Sequence, residues 1–399
     1  RLQREAAGDP RRLERETRII EAVGARGIPV PEVHGWNADL RCTLFERDAG
    51  RSDLDALEDA GQQRAVMEDF IRVVARMHVL DPGTLGLDEL MHRPTTPREC
   101  ALGEVERIAS QWQPYLDQAR DPLTTYALDW LDRFAPESVA RVSLVQGDTG
   151  PVNFMFQGDR VSAVIDWETG HYGDPREDLG NIAVREFWNP SGGLAGLFHL
   201  HEKESGVPYD RFRAQYYAVH QNVRGMIPIH YVCENAHPRE SVAWYLCYRY
   251  IGDRATCEML ARAMEVAIER PAMPEEVGER DVLAEAAAYA QDRDVAPAIE
   301  DRFAASRAKD VTTLIACMDR RRRFGLALAE AELEEWAELL GSRPATYHEG
   351  RLALQQALRE HRLDDDVAIR ALTRKAYRDE WLHGPAVALY PARSWSDVD

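Results

Sequence analysis

A stretch of short apolar runs and polar breaks, residues 143–178, constrains the fold of this chain more than any other part. The runs are separated by turn residues, a pattern typical of buried strands joined by tight connections. It predicts three strands, at 143–145, 153–156 and 160–165, and a separate apolar run nearer the start of the chain predicts a further strand at 41–45. Polar side chains in this stretch are therefore expected at strand ends.

Two carboxylates and an amide stand at those strand ends. Asp148 follows the first strand on a loop opened by Gly147. Asn153 lies at the mouth of the next hairpin, and Asp166 ends the third apolar run. A carboxylate placed directly after a buried strand needs a partner. Because phosphoryl transfer from ATP needs an Asp base, an Asn and a second Asp beside metal ions, we interpret the stretch as a phosphoryl-transfer site.

The spacing of these residues resembles that of a known superfamily. Asp148 is followed five positions later by Asn153, and Asp166 comes thirteen positions after that. This resembles the catalytic loop and metal-binding Asp of protein kinases, in the form found in the aminoglycoside phosphotransferase and choline kinase-like superfamily. That superfamily has a His-Gly-Asp loop and an Asp-Trp or Asp-Phe pair, and this chain has Gln-Gly-Asp from Gln146 and Asp-Trp at Asp166. Since Asp and Asn are ordinary turn residues, the ordered set of motifs carries the assignment.

The resemblance implies a role for each of five residues. Asp148 would be the catalytic base, while Asn153 and Asp166 would hold Mg²⁺ beside ATP. Asp178, in the segment after the following Gly-Asp-Pro, would brace the backbone of the loop. Gln146 replaces the usual His and would support the loop rather than react. A lower catalytic rate as a result of this replacement is the open alternative.

The first helical segment resembles the part of the superfamily that pairs a Glu with a cation from a strand. Apolar spacing over residues 11–27 predicts a helix closed by its glycines. Glu16 matches the nucleotide-site Glu, with a solvated helical Glu as the alternative. Arg1 is the remaining match for the cation, and the glycine-rich loop expected before it does not occur in these 399 residues. We therefore expect a further N-terminal segment of some tens of residues, and reduced or no activity without it.

The chain as a whole predicts an α+β fold followed by a helical region. The resemblance implies a protein-kinase-like fold in which residues 1–50 form the remainder of a truncated N-terminal lobe and the hinge. Residues 51–272 would form a mostly helical C-terminal lobe with the catalytic loop. Pro271 and Pro274 mark the clearest break, after which helical patterns predict an all-α accessory domain at 275–399.

A second resemblance concerns residues 73–87, which contain Arg-Met-His-Val-Leu-Asp-Pro and Leu-Gly-Leu. They resemble the superfamily members that are fused to acyl-CoA dehydrogenases. We interpret His78 as packed near the end of a helix, with a ligand role as the alternative. Aromatic residues between 100 and 136, among them Trp112, Tyr115 and Trp130, are predicted to belong to the core.

Composition argues against several classes of function. The chain has 49 Lys and Arg against 68 Asp and Glu, a formal net charge of −19, whereas nucleic-acid binding needs a basic surface. Its six scattered cysteines include no Cys-x-x-Cys pair, which argues against a zinc site. No apolar run is long enough for a bilayer span, and the start lacks a signal-peptide core, so we expect a cytoplasmic protein without a membrane partner. The oligomeric state is not predicted.

Three hypotheses for function follow. The leading one is a Mg-ATP-dependent phosphotransferase acting on a hydroxyl of a small molecule. A metabolic hydroxyl, on an acyl-CoA or a hydroxy acid, is favoured over an antibiotic by the second resemblance. The alternative is a catalytically weak kinase-like module that recruits a partner through its C-terminal helices. Phosphorylation of a protein is disfavoured, because the interval between Asp166 and Gly173 leaves little room for an activation segment.

Overall fold

The computed structural model describes residues 1–3, 11–118, 121–237, 240–275, 281–390 and 395–396. The chain divides into two compact units. Unit 1 takes its described residues from 1–107, 134–221 and 392–399, and unit 2 takes its own from 108–133 and 222–391. Among the described residues no helix is both long enough and apolar enough to cross a bilayer.

Helices dominate the chain and the strands are short, which agrees with the predicted α+β class. The strands are β1 (Val33–Asn37), β2 (Cys42–Phe45), β3 (Ser143–Val145), β4 (Phe154–Gln157), β5 (Arg160–Val164) and β6 (His171–Gly173). The α-helices are α1 (Arg12–Gly24), α2 (Ala60–His78), α3 (Pro97–Gln111), α4 (Gln113–Gln118), α5 (Pro122–Arg133), α6 (Arg176–Trp188), α7 (Leu197–Ser205), α8 (Arg211–Asn235), α9 (Val242–Ala263), α10 (Val282–Ala290), α11 (Arg302–Leu340), α12 (Tyr347–Arg359), α13 (Asp365–Leu382) and α14 (Gly384–Val387).

The strands of unit 1 form three antiparallel pairs, β1 with β2, β3 with β6, and β4 with β5. The start of the chain adds to the first pair. The backbone nitrogen of Arg1 donates to the carbonyl of Thr43 at 2.8 Å, and the Gln3 N–H donates to the carbonyl of Arg41 at 2.9 Å. Arg1 is thereby fixed in an extended segment beside β2.

Apolar helical faces and the strands build the core of unit 1. On α1, Ile19, Ile20 and Val23 form the predicted stripe and are buried. Helix α2 begins after Asp59, whose carboxylate accepts a hydrogen bond from the Gly61 N–H at 2.8 Å and so caps the first turn. Helix α2 packs on α7 and on β5. This packing supports the strands that precede Asp148 and Asp166.

Unit 2 is built from helices. Helix α9 packs against α13, α5 packs against α12, and α11 contacts α10, α12, α13 and α14. Trp130 and Trp336 are among its largest fully buried side chains. Trp112 and Tyr115, which were expected in the core, are only half-buried and lie against Tyr231, with ring centroids 4.7 Å and 5.4 Å apart.

Two strands were not predicted from the sequence, and the predicted strands shift slightly. β3 lies at the predicted residues, while β4 and β5 differ from their predicted limits by one residue. β1 has the sequence Val-His-Gly-Trp-Asn, is largely exposed and lacks an apolar alternation. β6 has three residues and depends on pairing with the distant β3. Neither strand therefore carries a local signal.

The grouping of helices differs from the predicted domain limits. Helix α9 belongs to unit 2 because it packs against α13, although the sequence places it before the break at Pro271 and Pro274. The described residues between Met264 and Glu275 contain no helix, and 276–280 lie outside the described residues. The domain boundary between residues 272 and 275 stays a prediction.

Close packing of two helical backbones depends on Gly180. A Cβ there would lie 2.6 Å from the backbone nitrogen of Ala218 on α8. Replacing Gly180 by Ala is expected to lower the free energy of unfolding by about 1–3 kcal/mol, because α6 and α8 must separate. Gly103→Ala is the matched helical control, with no atom within 4 Å of the added methyl. The control is expected to be neutral or stabilising by up to about 1 kcal/mol, and equal urea unfolding curves for both variants would contradict this packing.

Candidate active site

The loop after β3 depends on glycine at position 147. Gly147 has a φ of +80°, in the left-handed region that a residue with a side chain rarely adopts. A Cβ at this position would lie 2.6 Å from the carbonyl oxygen of Thr169. The loop that carries Asp148 therefore runs directly against the segment that follows Asp166.

A buried carboxylate, Asp178 on α6, holds the backbone of this loop. It accepts hydrogen bonds from the Gln146 N–H at 3.1 Å and the Gly147 N–H at 3.0 Å. The hydroxyl of Thr149 donates to it as well. Asp178 is completely buried, and it occupies the position from which the sequence predicts a brace for the loop.

Two histidines complete the surroundings of Asp178. His78 Nε2 lies 2.9 Å from Asp178 Oδ2, and His78 Nδ1 lies 2.8 Å from His201 Nε2. Burial raises the pKa of Asp178, but His78, the Thr149 hydroxyl and the Gly147 N–H outweigh burial and lower it. Burial and the charge of His78 lower the pKa of His201 to about 3, so its ring is neutral. Sequence analysis placed His78 near a helix end but did not find its contact with Asp178.

The side chain of Gln146 connects the loop to the end of β5. Its Oε1 accepts a hydrogen bond from the Asp148 N–H at 2.8 Å. Its Nε2 donates to the carbonyls of Ile165 at 3.0 Å and Asp166 at 2.9 Å. A single side chain thus fixes the backbone at both carboxylates that the sequence singles out.

Three side chains donate to the carboxylate of Asp148. Asn153 Nδ2 donates to Asp148 Oδ2 at 2.8 Å, and Gln221 Nε2 donates to Oδ1 at 3.0 Å. Arg185 binds both oxygens, with Nε 3.0 Å from Oδ1 and Nη2 on Oδ2. Arg185 and Gln221 were missed, since each is a single polar residue on a helix far along the chain and belongs to no motif.

Asp166 lies at the end of β5 in the left-handed region, with φ 60° and ψ 55°. Its side chain remains 41% exposed, and Oδ1 lies 3.4 Å from Arg1 Nη1. Burial and the carboxylates of Glu168 and Asp148 raise the pKa of Asp166, against the opposing effect of Arg1. The Asp166 carboxylate is therefore partly exposed, and the neighbouring carboxylates of Glu168 and Asp148 make its surroundings negatively charged.

Arg1 and Glu16, the two residues that the resemblance assigns to the nucleotide site, are in contact. Arg1 Nη1 lies 2.5 Å from Glu16 Oε1, and Arg1 Nη2 lies 2.6 Å from Glu168 Oε2. One guanidinium thus contacts three carboxylates, counting Asp166. Burial raises the pKa of Glu16 to about 7, with Arg1 lowering it and Asp166 and Glu168 raising it. Glu168 was not assigned a role, although it follows the Asp-Trp pair directly.

Asp166 and Asn153, the residues assigned to Mg²⁺ from the sequence, offer oxygen atoms suited to that ion. In the described part of the chain no three His, Cys, Asp or Glu side chains converge as a metal cluster. Mg²⁺ is commonly held by one or two protein oxygens together with phosphates and water. The open carboxylate of Asp166 fits this pattern. The Nδ2 of Asn153 is bonded to Asp148, which leaves Oδ1 of Asn153 as the atom suited to a cation.

Comparison with known proteins decides the family. Residues 1–217 match the phosphotransferase enzyme family, APH. The chain belongs to this family. The predicted resemblance to the aminoglycoside phosphotransferase superfamily is therefore confirmed.

Curated relatives extend the comparison. Acyl-CoA dehydrogenase family member 11 of Rattus norvegicus is 30% identical over 210 residues, which cover 49% of this chain and 26% of the rat protein. Hygromycin-B 4-O-kinase of Escherichia coli is 30% identical over 96 residues, which cover 24% of this chain and 27% of that protein. The chain thus spans about a quarter of the length of these relatives. The predicted similarity to domains fused to acyl-CoA dehydrogenases is confirmed by the rat protein.

A solved structure supports the fold. A Ralstonia eutropha JMP134 protein, described as a candidate aminoglycoside phosphotransferase, matches with a TM-score of 0.51 at 24% sequence identity. The match covers 64% of this chain and 83% of that one. The kinase-like α+β fold with a mostly helical remainder is thereby confirmed.

The buried Glu16 predicts a pH dependence of stability. Its pKa is raised from 4.5 to about 7, so the folded state binds the Glu16 proton more tightly than the unfolded chain does. Stability conferred by that proton is fully present below about pH 4.5 and is lost as the pH rises from about 4.5 to about 7. Glu16→Gln removes this loss. Urea unfolding across this range should show wild type losing stability relative to the variant.

The matched control is Glu21→Gln, which removes one carboxylate from an exposed position on the same helix. The control is expected to follow the wild-type pH curve. Wild-type and Glu16→Gln curves that stay parallel would contradict the raised pKa.

Proposed function

We propose that this protein is a Mg-ATP-dependent phosphotransferase that acts on a hydroxyl of a small molecule. The observation that carries the proposal is the connection made by Gln146, whose side chain binds the backbone of both Asp148 and Asp166. A base and a metal-binding carboxylate must be held at fixed positions for phosphoryl transfer. Membership of the phosphotransferase family supports the same reaction class.

Each residue of the site has a role in this proposal. Asp148 aligns the acceptor hydroxyl and accepts its proton as the bond to phosphorus forms. Asn153 and Asp166 hold Mg²⁺, which supplies charge neutralisation to the phosphate oxygens. The Arg1 and Glu16 pair contributes to binding of ATP, with the Arg1 guanidinium as the cation.

Arg185 acts as a positioning residue. Its planar guanidinium binds both oxygens of Asp148, which fixes the rotation of the carboxylate. Gln221 and Asn153 add one hydrogen bond each. The carboxylate is thus aimed in one direction before an acceptor arrives, so less conformational freedom is lost when the acceptor binds.

The acceptor class is inferred from the relatives. Hygromycin-B 4-O-kinase is named for phosphorylating an oxygen of hygromycin B, and the rat relative is named acyl-CoA dehydrogenase family member 11. The match to the rat protein extends over 210 residues and the match to the kinase over 96. We therefore favour a metabolic hydroxyl on an acyl-CoA or a hydroxy acid as the acceptor. The reaction is proposed to take place in the cytoplasm, with neither nucleic acid nor a membrane as partner.

The proposal predicts the effect of one isosteric change. Asp148→Asn is expected to lower kcat by about 10²–10⁴-fold, because an amide cannot accept the hydroxyl proton. ADP formation from Mg-ATP is measured with a panel of small alcohols, using the full-length gene product. Asp159→Asn makes the same change on the exposed turn between β4 and β5 and serves as the control. Unchanged turnover of Asp148→Asn, with melting temperature as the test of folding, would contradict the assigned base.

The alternative, a catalytically weak binding module, has one observation in its favour. Both oxygens of Asp148 already accept hydrogen bonds from protein side chains, as they would if the carboxylate had become structural. Such a module shows no turnover above that of Asp148→Asn with any acceptor. In cells its Asp148→Asn variant retains full function, whereas the enzyme loses it.

A further inference from the structure

A cavity within unit 2 is left unused by the proposed function. Its volume is about 420 Å³, inside the range of about 300–1,000 Å³ typical of small-molecule sites. Its lining comes from α5, α9, α11, α12 and α13, together with Asp121 and His383. Five of the lining residues are cationic, namely Arg249, Arg321, Arg351, Lys375 and Arg378.

The charge of the lining differs from that of the chain. The whole chain has more acidic than basic residues, 68 against 49. The cavity instead has five cations and four carboxylates, the latter being Asp121, Asp253, Glu332 and Asp379. A cationic excess inside an acidic protein points to an anionic ligand, since such a cavity concentrates anions from solution.

Two of the carboxylates are bound to a buried histidine. His230 Nε2 lies 2.6 Å from Asp253 Oδ1, and His230 Nδ1 lies 3.1 Å from Asp121 Oδ2. Burial lowers the pKa of His230, but the two carboxylates raise it to about 9, so the ring is an imidazolium at neutral pH. The two carboxylates are therefore shared between His230 and the neighbouring Arg249. Arg249 Nε is 3.9 Å from Asp253 Oδ2 and is buried without a hydrogen-bond acceptor among the described residues.

On α13, too, cations of the lining are paired with carboxylates, and one buried N–H has no acceptor among the described residues. Lys375 Nζ lies 2.6 Å from Asp379 Oδ2 and 3.7 Å from Glu332 Oε2, and the Tyr347 hydroxyl donates to Glu332. Arg378 is 5% exposed and binds Glu335 through its terminal nitrogens. Its Nε also has no acceptor in the part of the chain described here. A buried N–H without an acceptor is unfavourable, and a ligand oxygen would relieve it.

We propose that this cavity binds a small organic anion through an oxyanion group, a carboxylate or a phosphate. Guanidinium groups match both oxyanions, because their planar N–H donors pair with two oxygens at once. The stacked rings of Tyr250 and His383, with centroids 3.8 Å apart and planes 11° apart, offer a flat wall to the body of the ligand. The inference concerns unit 2 alone and does not rest on phosphoryl transfer at Asp148.

The experiment titrates the full-length protein with inorganic phosphate and, separately, with malonate, at an ionic strength held constant with chloride. Calorimetry measures affinity, and hydrogen exchange read by mass spectrometry locates binding. We expect saturable binding of at least one anion, with slower exchange in α12 and α13. The anion that binds with the higher affinity shows whether the cavity prefers a phosphate or a carboxylate.

Variants test the cavity itself. Arg321 is exposed, so Arg321→Gln should fold normally and weaken binding by about tenfold. Arg249→Gln, which changes a mostly buried residue of the lining, should also weaken anion binding by about tenfold. Arg322→Gln removes the same charge at the next position, about 100° around α11, and should leave affinity unchanged. Absence of saturable binding, protection confined to residues 143–178, or affinity unchanged in both cavity variants would overturn the proposal.

Discussion

The site depends on one buried carboxylate. Asp178 accepts hydrogen bonds from two consecutive N–H groups of the loop, and it is itself supported by His78. A buried charge without partners is costly, so these contacts make both the loop conformation and the rotamer of Asp178 hard to change. Through Gln146, the same loop conformation determines where Asp148 and Asp166 stand relative to each other.

Electrostatics distinguishes the two ends of the site. At Asp148 the negative charge is balanced by the guanidinium of Arg185. Around Arg1, by contrast, one cation faces the carboxylates of Glu16, Asp166 and Glu168. Burial raises the pKa of Glu16, and the negative charges of Asp166 and Glu168 raise it further. In the proposed function, Mg²⁺ binds at the partly exposed carboxylate of Asp166 and offsets this negative charge. ATP binds there together with the ion.

The sequence predicted those features that local patterns or a resemblance can carry. β3 to β5 were found because apolar runs and turn residues define them locally, and the contact between Arg1 and Glu16 followed from the family pattern. Arg185, Gln221 and His201 were not found, because their roles depend on contacts with residues that are distant in the sequence. The grouping of α9 with the C-terminal helices has the same origin, since packing against α13 leaves no periodicity that differs from that of any buried helix.

In the proposed function, Asp166 binds Mg²⁺ so that ATP is held beside the braced loop. Calorimetric titration of ATP into the full-length gene product, with and without Mg²⁺, tests this most directly when it is repeated on Asp166→Asn. We expect Mg²⁺ to strengthen ATP binding to the wild-type protein and to have no such effect on the variant. Identical binding under all four conditions, or no binding in any, would contradict it.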